Sequence, residues 1–178
     1  MSILLALLMQ ACSPEPCFES PAERASMLQL AEDSFDQYND RGWRLVSSRG
    51  GHCRIAAAEL ILEYIERRGE DDLILPYLAH WHAGQMFAMA GETSRALRQF
   101  RFSYVYDGGS RSDTLMCNEY VTGTIAFLEN DRDTLIAARN AFPDESHMNR
   151  GVLDGLLACF EEPYSIACGG RCLDADSE

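Results

Sequence analysis

Apolar residues recur along this chain at intervals of three and four rather than in alternation, the spacing that lines them up on one face of an α-helix. Ser20-Pro21-Ala22-Glu23 opens the first such run as a capping box with proline at the first helical position. Behind it Met27, Leu28, Ala31, Phe35 and Tyr38 share one stripe, which Asn39, Asp40 and Gly42 bring to an end. A polar loop, Ser47-Ser48-Arg49-Gly50-Gly51-His52, leads into a second helix carrying Ile55, Ala58, Leu62 and Ile65, with Ala57, Ile61 and Tyr64 on its inner face and Gly69 at its close. A third helix starts near Leu73–Pro76 and runs to Ala90, Gly91 turns the chain, and a fourth covers about Thr93 to Tyr106 before Asp107-Gly108-Gly109-Ser110 breaks it. Ser112 or Asp113 caps a fifth helix ending near Glu129, and a sixth runs from about Asp131 to Phe142 and stops at Pro143. Asn149 caps a seventh reaching Phe160, and Pro163 to Ala167 forms a last turn. No stretch alternates with period two, so the expected fold is all-α, with about seven helices joined by short turns into antiparallel hairpins.

The third and fourth helices carry Gly84, Phe87, Gly91, Ala96, Phe100 and then small Ser103. This pattern resembles one tetratricopeptide repeat, in which small residues let two helices approach while aromatics fill the space between them. Gly123, Phe127, Ala138 and Phe142 look like a worn second copy, offset by 39 residues rather than the ~34 of the standard repeat. The resemblance covers about residues 76–142 and implies hairpins stacked as a right-handed α-α superhelix. Such a stack presents a concave groove, and the first helix of each hairpin would line it with Trp81, His82, Gln85 and Glu119. A further stretch, Tyr120 to Leu128 followed by Asp131-Arg132, Leu135 to Ala141, Val152 to Leu156, Cys159-Phe160 and Pro163-Tyr164, is similar to small uncharacterised helical proteins of proteobacteria. That likeness carries over no catalytic residue.

The N-terminus speaks to location. Ile3 to Met9 is a short apolar run leading through Gln10-Ala11 into Cys12, and it resembles the lipobox of bacterial lipoprotein signal peptides. The expectation is that residues 1–11 form a signal peptide and that Cys12 is lipidated. Residues 12–19 would then be a stiff, proline-containing tether, residues 20–172 a single domain, and residues 173–178 a disordered acidic tail. The implied address is the bacterial envelope, as an outer-membrane lipoprotein facing the periplasm. With Cys12 assigned to lipid, six cysteines remain: Cys17, Cys53, Cys117, Cys159, Cys168 and Cys172. An even set suits disulfides in an oxidising compartment, with 15 possible pairings. One bridge is expected within the trio Cys159, Cys168 and Cys172, while Cys117 and Cys159 can equally be buried thiols.

Composition narrows the function classes. Lys and Arg number 15 against 28 Asp and Glu, a net charge of −13 without any basic cluster. That excludes nucleic-acid binding and a polybasic membrane patch, leaving Cys12 as the sole expected membrane link. Every basic residue is arginine, so Schiff-base chemistry and the phosphate-loop lysine are absent as well.

Candidate chemistry is sparse. His80 and His82 lie two apart on a helix and point about 200° away from each other, unlike the i, i+4 pairs that hold zinc. His52-Cys53 follows two glycines at a helix start, where a thiol's pKa falls, although a disulfide is the expected state of an exported thiol. No cofactor motif occurs, and neither cofactor nor metal is expected. The chain thus reads as a protein- or peptide-binding module rather than an enzyme. The alternatives are an enzyme using His52/Cys53 or His82 in the groove, or a cytosolic helical adaptor.

Overall fold

The computed structural model describes residues 15–105, 117–142, 144 and 146–172. Cys12 and the lipobox, the Asp107–Ser110 break, the Ser112/Asp113 cap, Pro143, the Cys117 side chain and the acidic tail lie outside the described residues. Within them the chain forms ten α-helices and no strand. They are α1 (Pro21–Met27), α2 (Glu32–Asp36), α3 (Gly42–Ser48), α4 (Arg54–Arg68), α5 (Pro76–Met89), α6 (Thr93–Phe102), α7 (Cys117–Leu128), α8 (Arg132–Asn140), α9 (Met148–Ala158) and α10 (Tyr164–Ala167). Short 3₁₀ turns, Gly51–Cys53 and Glu70–Asp72, precede and follow α4.

The first apolar stripe is two helices rather than one. The Ser20 cap forms at its start, where Ser20 Oγ accepts from the Glu23 amide at 3.1 Å, while the Glu23 carboxylate reaches one residue past the cap to accept from the Glu19 amide at 2.6 Å. The break comes at Leu30. Its carbonyl accepts the Tyr64 hydroxyl at 2.8 Å and Arg68 Nη2 at 2.7 Å, so side chains of α4 take the acceptor that a continuous helix would use internally. The bend still buries Met27, Leu28 and Phe35, and the Phe35 ring stacks on Tyr64 with centroids 3.9 Å apart.

Gly42 does not end a helix; it begins α3. Its φ is 57°, and a Cβ there would lie 2.0 Å from the Phe35 carbonyl oxygen. Only glycine allows the backbone to pass so close. Ser47 and Ser48 belong to α3, where their hydroxyls back-bond to the Arg44 and Leu45 carbonyls, so the expected polar loop shrinks to Arg49 and Gly50. Splitting the first stripe, adding α3 and counting the last turn raises the expected seven helices to ten.

α5 is the central element. It packs on α4, α6 and α10, and buries His80, Trp81, His82, Ala83, Gly84, Met86, Phe87 and Ala88. Two hairpins, α5–α6 and α7–α8, turn in the same way 39 residues apart. Gly91 (φ 80°) and Asn130 (φ 60°) take the left-handed position, and the next amide bonds back to the carbonyl five residues earlier, Glu92 to Phe87 at 2.9 Å and Asp131 to Ala126 at 2.8 Å. Both are helix C-terminal turns of Schellman type. The glycine of each first helix faces a neighbour closely: a Cβ on Gly84 would meet the Phe100 ring of its own hairpin at 2.7 Å, and one on Gly123 would meet Leu153 Cδ2 of α9 at 2.7 Å and Ala138 Cβ of its own hairpin at 3.4 Å.

α9 packs on α7 and α8 and buries Leu153 and Leu156. Its N-cap is His147, whose Nδ1 accepts from the Asn149 amide at 3.2 Å, and not Asn149 itself. Two disulfides close the ends of the described chain. Cys17–Cys53 ties the segment before α1 to the start of α4, and Cys159–Cys172 folds the C-terminal residues back onto the end of α9. Cys168, counted with the paired set from sequence, is instead a free thiol.

Candidate functional site

Pro76 fixes the start of α5, and the residues one turn on set its chemistry. Trp81, His82 and Gln85 lie at successive positions of one helical face, and all three line a cleft of about 350 Å³. Tyr77 and Leu78 extend the same wall, α7 contributes Tyr120 and Val121, and α9 contributes Met148 and Val152. The Trp81 ring is held between Phe100 and Tyr120, with centroids at 4.7 and 4.5 Å. Glu119, expected beside them, does not line the cleft; its neighbours Tyr120 and Val121 do. The cleft is therefore floored by aromatics and rimmed by Met148, whose side chain is 76% exposed.

A buried polar couple lies behind this wall. His82 Nδ1 is 2.7 Å from Asp36 Oδ1, and the same oxygen accepts Trp43 Nε1–H at 2.7 Å. Gln37 Nε2 donates to the other carboxylate oxygen, and Arg44 donates to the Asp36 carbonyl. Burial works to raise the Asp36 carboxyl, yet the His82 bond and charge, the indole N–H and Arg44 together hold it below the ordinary carboxylate value.

Asp36 also lines a second cavity of about 500 Å³, formed by α2, Tyr64 and residues 73–79. Glu32 and Asp33 stand at its acidic side. The Glu32 carboxylate accepts the Ile74 and Leu75 amides at 2.8 and 3.0 Å, which fixes the approach to α5 and leaves Ile74 77% exposed. Leu78 belongs to both linings, so the two cavities flank α5 with the Asp36–His82 couple as the polar partition between them.

The remaining candidates fall elsewhere. His80 faces away from His82: its Nδ1 meets Gln99 Oε1 at 2.8 Å and its Nε2 meets Glu70 Oε1 at 3.3 Å. Cys53 is buried in a disulfide and offers no thiolate, which removes the His52/Cys53 nucleophile. The free Cys168 thiol is pushed up by burial, against the pull of Arg54 and Arg171, and so stays protonated at neutral pH. Burial likewise raises the phenols of Tyr120 and of buried Tyr164. Tyr120 enters the cleft as a neutral hydrogen-bonding group.

Sequence reading missed Asp36, Tyr77, Tyr120 and Met148. Asp36 carries no signal, since one acid beside an apolar stripe is ordinary helix surface. Tyr120 and Met148 reach the cleft only because α7 and α9 supply the walls that face α5.

Comparison with protein-family models, curated proteins and solved structures finds no match to this chain.

Proposed function

We propose that this chain is an exported helical-repeat module, lipid-anchored through Cys12 on the periplasmic side of the bacterial outer membrane, and that it binds a protein or peptide through the cleft along α5. The observation that carries the reading is the cleft itself. An aromatic-floored recess of about 350 Å³ with an exposed methionine at its rim suits one bulky apolar side chain presented by a partner. The α5–α6 and α7–α8 hairpins turn alike, and the helical-repeat reading of the scaffold rests on the sequence pattern of Gly84, Phe87, Ala96 and Phe100. The excess of acidic residues favours partners with basic flanks.

The enzymatic alternative has in its favour a histidine oriented by a buried carboxylate. Burial, however, pushes the phenol of Tyr120 in the cleft upward, away from neutrality. A binding cleft accounts for these residues with fewer requirements.

Photocrosslinking from position 148 in the producing cell tests the binding reading. A discrete adduct from that site, lost on Val152→Glu and absent when the probe sits at Glu66 on α4, is the expected result. A matching adduct pattern from both positions would refute it. Intact mass of the membrane-extracted protein tests the anchor, through acyl mass on a chain beginning at Cys12.

A further inference from the structure

Three soft donors come together where the segment before α1 meets the start of α4. The sulfurs of Cys17 and Cys53 and a ring nitrogen of His52 all lie within 4.8 Å of one another. In the structure the two sulfurs are joined. Contacts that involve no sulfur hold the same arrangement. Arg49 Nη1 donates to the Cys17 carbonyl and to the Glu23 carboxylate, both at 2.9 Å, while the Cys53 amide donates to the Gly50 carbonyl at 2.9 Å. None of these contacts uses the S–S bond, and each favours keeping Cys17 and Cys53 beside His52 once it opens. Turning the two reduced side chains so that their sulfurs stand about 3.8 Å apart lets one cation, with bonds of about 2.3 Å to sulfur and about 2.0 Å to nitrogen, take up all three donors.

The hydrogen bonding of His52 leaves one ring nitrogen for a metal. His52 Nε2 lies 2.9 Å from the Glu15 carbonyl oxygen, which can only accept, so Nε2 carries the proton and Nδ1 of the neutral ring keeps its lone pair. A ligating histidine whose other N–H donates to a backbone carbonyl is the usual outer arrangement at a metal.

We propose that reducing the Cys17–Cys53 bridge converts it into a site for a thiophilic cation such as zinc, held by Cys17 Sγ, Cys53 Sγ and His52 Nδ1 with solvent in the fourth position. A dithiol supplies the two electrons and two protons: its sulfurs become a disulfide as the Cys17–Cys53 bond breaks into two thiols. Zinc then displaces both thiol protons to solvent and binds two thiolates and the neutral imidazole. A disulfide oxidant reverses the sequence: its S–S bond takes up the two electrons and two protons and becomes two thiols, Cys17–Cys53 re-forms and the metal leaves, so the same three residues serve as a staple or as a metal site according to the redox poise. This inference does not depend on the cleft.

The test is zinc titration against a chromophoric chelator, on the full chain before and after reduction. Cys12, Cys117, Cys159, Cys168 and Cys172 are replaced by serine so that Cys17 and Cys53 are the remaining thiols. The reduced chain is expected to take one zinc and release two protons, the oxidised chain none. His52→Ala should weaken binding at least about tenfold, and Cys17→Ser should abolish it. If reduction or the serine background unfolds the chain, zinc must restore the helical circular dichroism of the reduced form. Equal zinc uptake by the oxidised chain, indifference to His52→Ala, or no uptake and no refolding on reduction would overturn the proposal.

Discussion

Asp36 Oδ1 and His82 Nδ1 lie 2.7 Å apart, and because that oxygen also holds the Trp43 indole, one buried carboxylate joins α2, α3 and α5. Removing a single member of a buried charged network strands the others, at a cost of about 3 kcal/mol or more. Asp36→Ala is expected to destabilise the chain by that amount in urea unfolding at neutral pH.

The same carboxyl has a pH signature. Its folded value lies below the unfolded one, about 3.9 for Asp. Its contribution is therefore complete above the unfolded value and disappears as pH falls through the folded one. Asp36→Asn should flatten the acid limb of a stability–pH curve relative to the parent, while a limb of unchanged slope would show that other carboxylates govern it.

The glycines sort into three kinds of site. Gly84→Ala and Gly123→Ala drive a methyl into Phe100 or Leu153 and should each cost about 1–3 kcal/mol. Gly91→Ala meets no neighbour but must hold a φ of 80°, for about 1 kcal/mol. Gly151→Ala, on the exposed side of α9 with nothing within 4 Å, should stabilise by about 0.5–1 kcal/mol. Thermal unfolding of the four variants measures the order.

How much of this was legible in the chain follows from where each determinant lies. The Ser20 cap, α4 with its stop at Gly69 and the Gly91 turn are local, and period and turn chemistry announce them; the Gly84–Phe100 approach, one hairpin apart, is what the tetratricopeptide resemblance implies. The break at Leu30 was not legible, because Tyr64 and Arg68, over thirty residues on, take its carbonyl. Nor was α3, since Gly42 reads as a stop unless one knows that Phe35 crowds it and that Trp43 is tied to Asp36. Three cleft residues on α5 could be named from a helical face; their companions on α7 and α9 depend on how helices cross.

The two disulfides close loops of different length, with sequence separations of 36 and 13. Loop entropy assigns about 4 kcal/mol to the first and about 3 kcal/mol to the second. Paired serine substitutions at Cys17/Cys53 and at Cys159/Cys172 should lower stability in that order, read by denaturant midpoint. The reverse order would mean that α10 and its flanks depend on their staple for more than chain entropy.

Met148→Asp offers a separation of function from fold. The side chain is exposed at the cleft rim, so the change should leave stability within about 0.5 kcal/mol. A partner seated in the cleft should lose most of its affinity, measured as loss of the crosslinked adduct from a probe placed at Val152.

The Cys17–Cys53 bridge also fixes how tension travels through the molecule. A pull arriving from the N-terminal side at residue 17 crosses the sulfur bond directly to residue 53 and enters α4, so α1, α2 and α3 carry no load while the bond is intact. Breaking it would add the intervening chain, roughly 120 Å of extended length, to the path. A domain hung from a membrane by its N-terminal side would thus keep its first three helices mechanically silent in oxidising surroundings and give up that length under reduction.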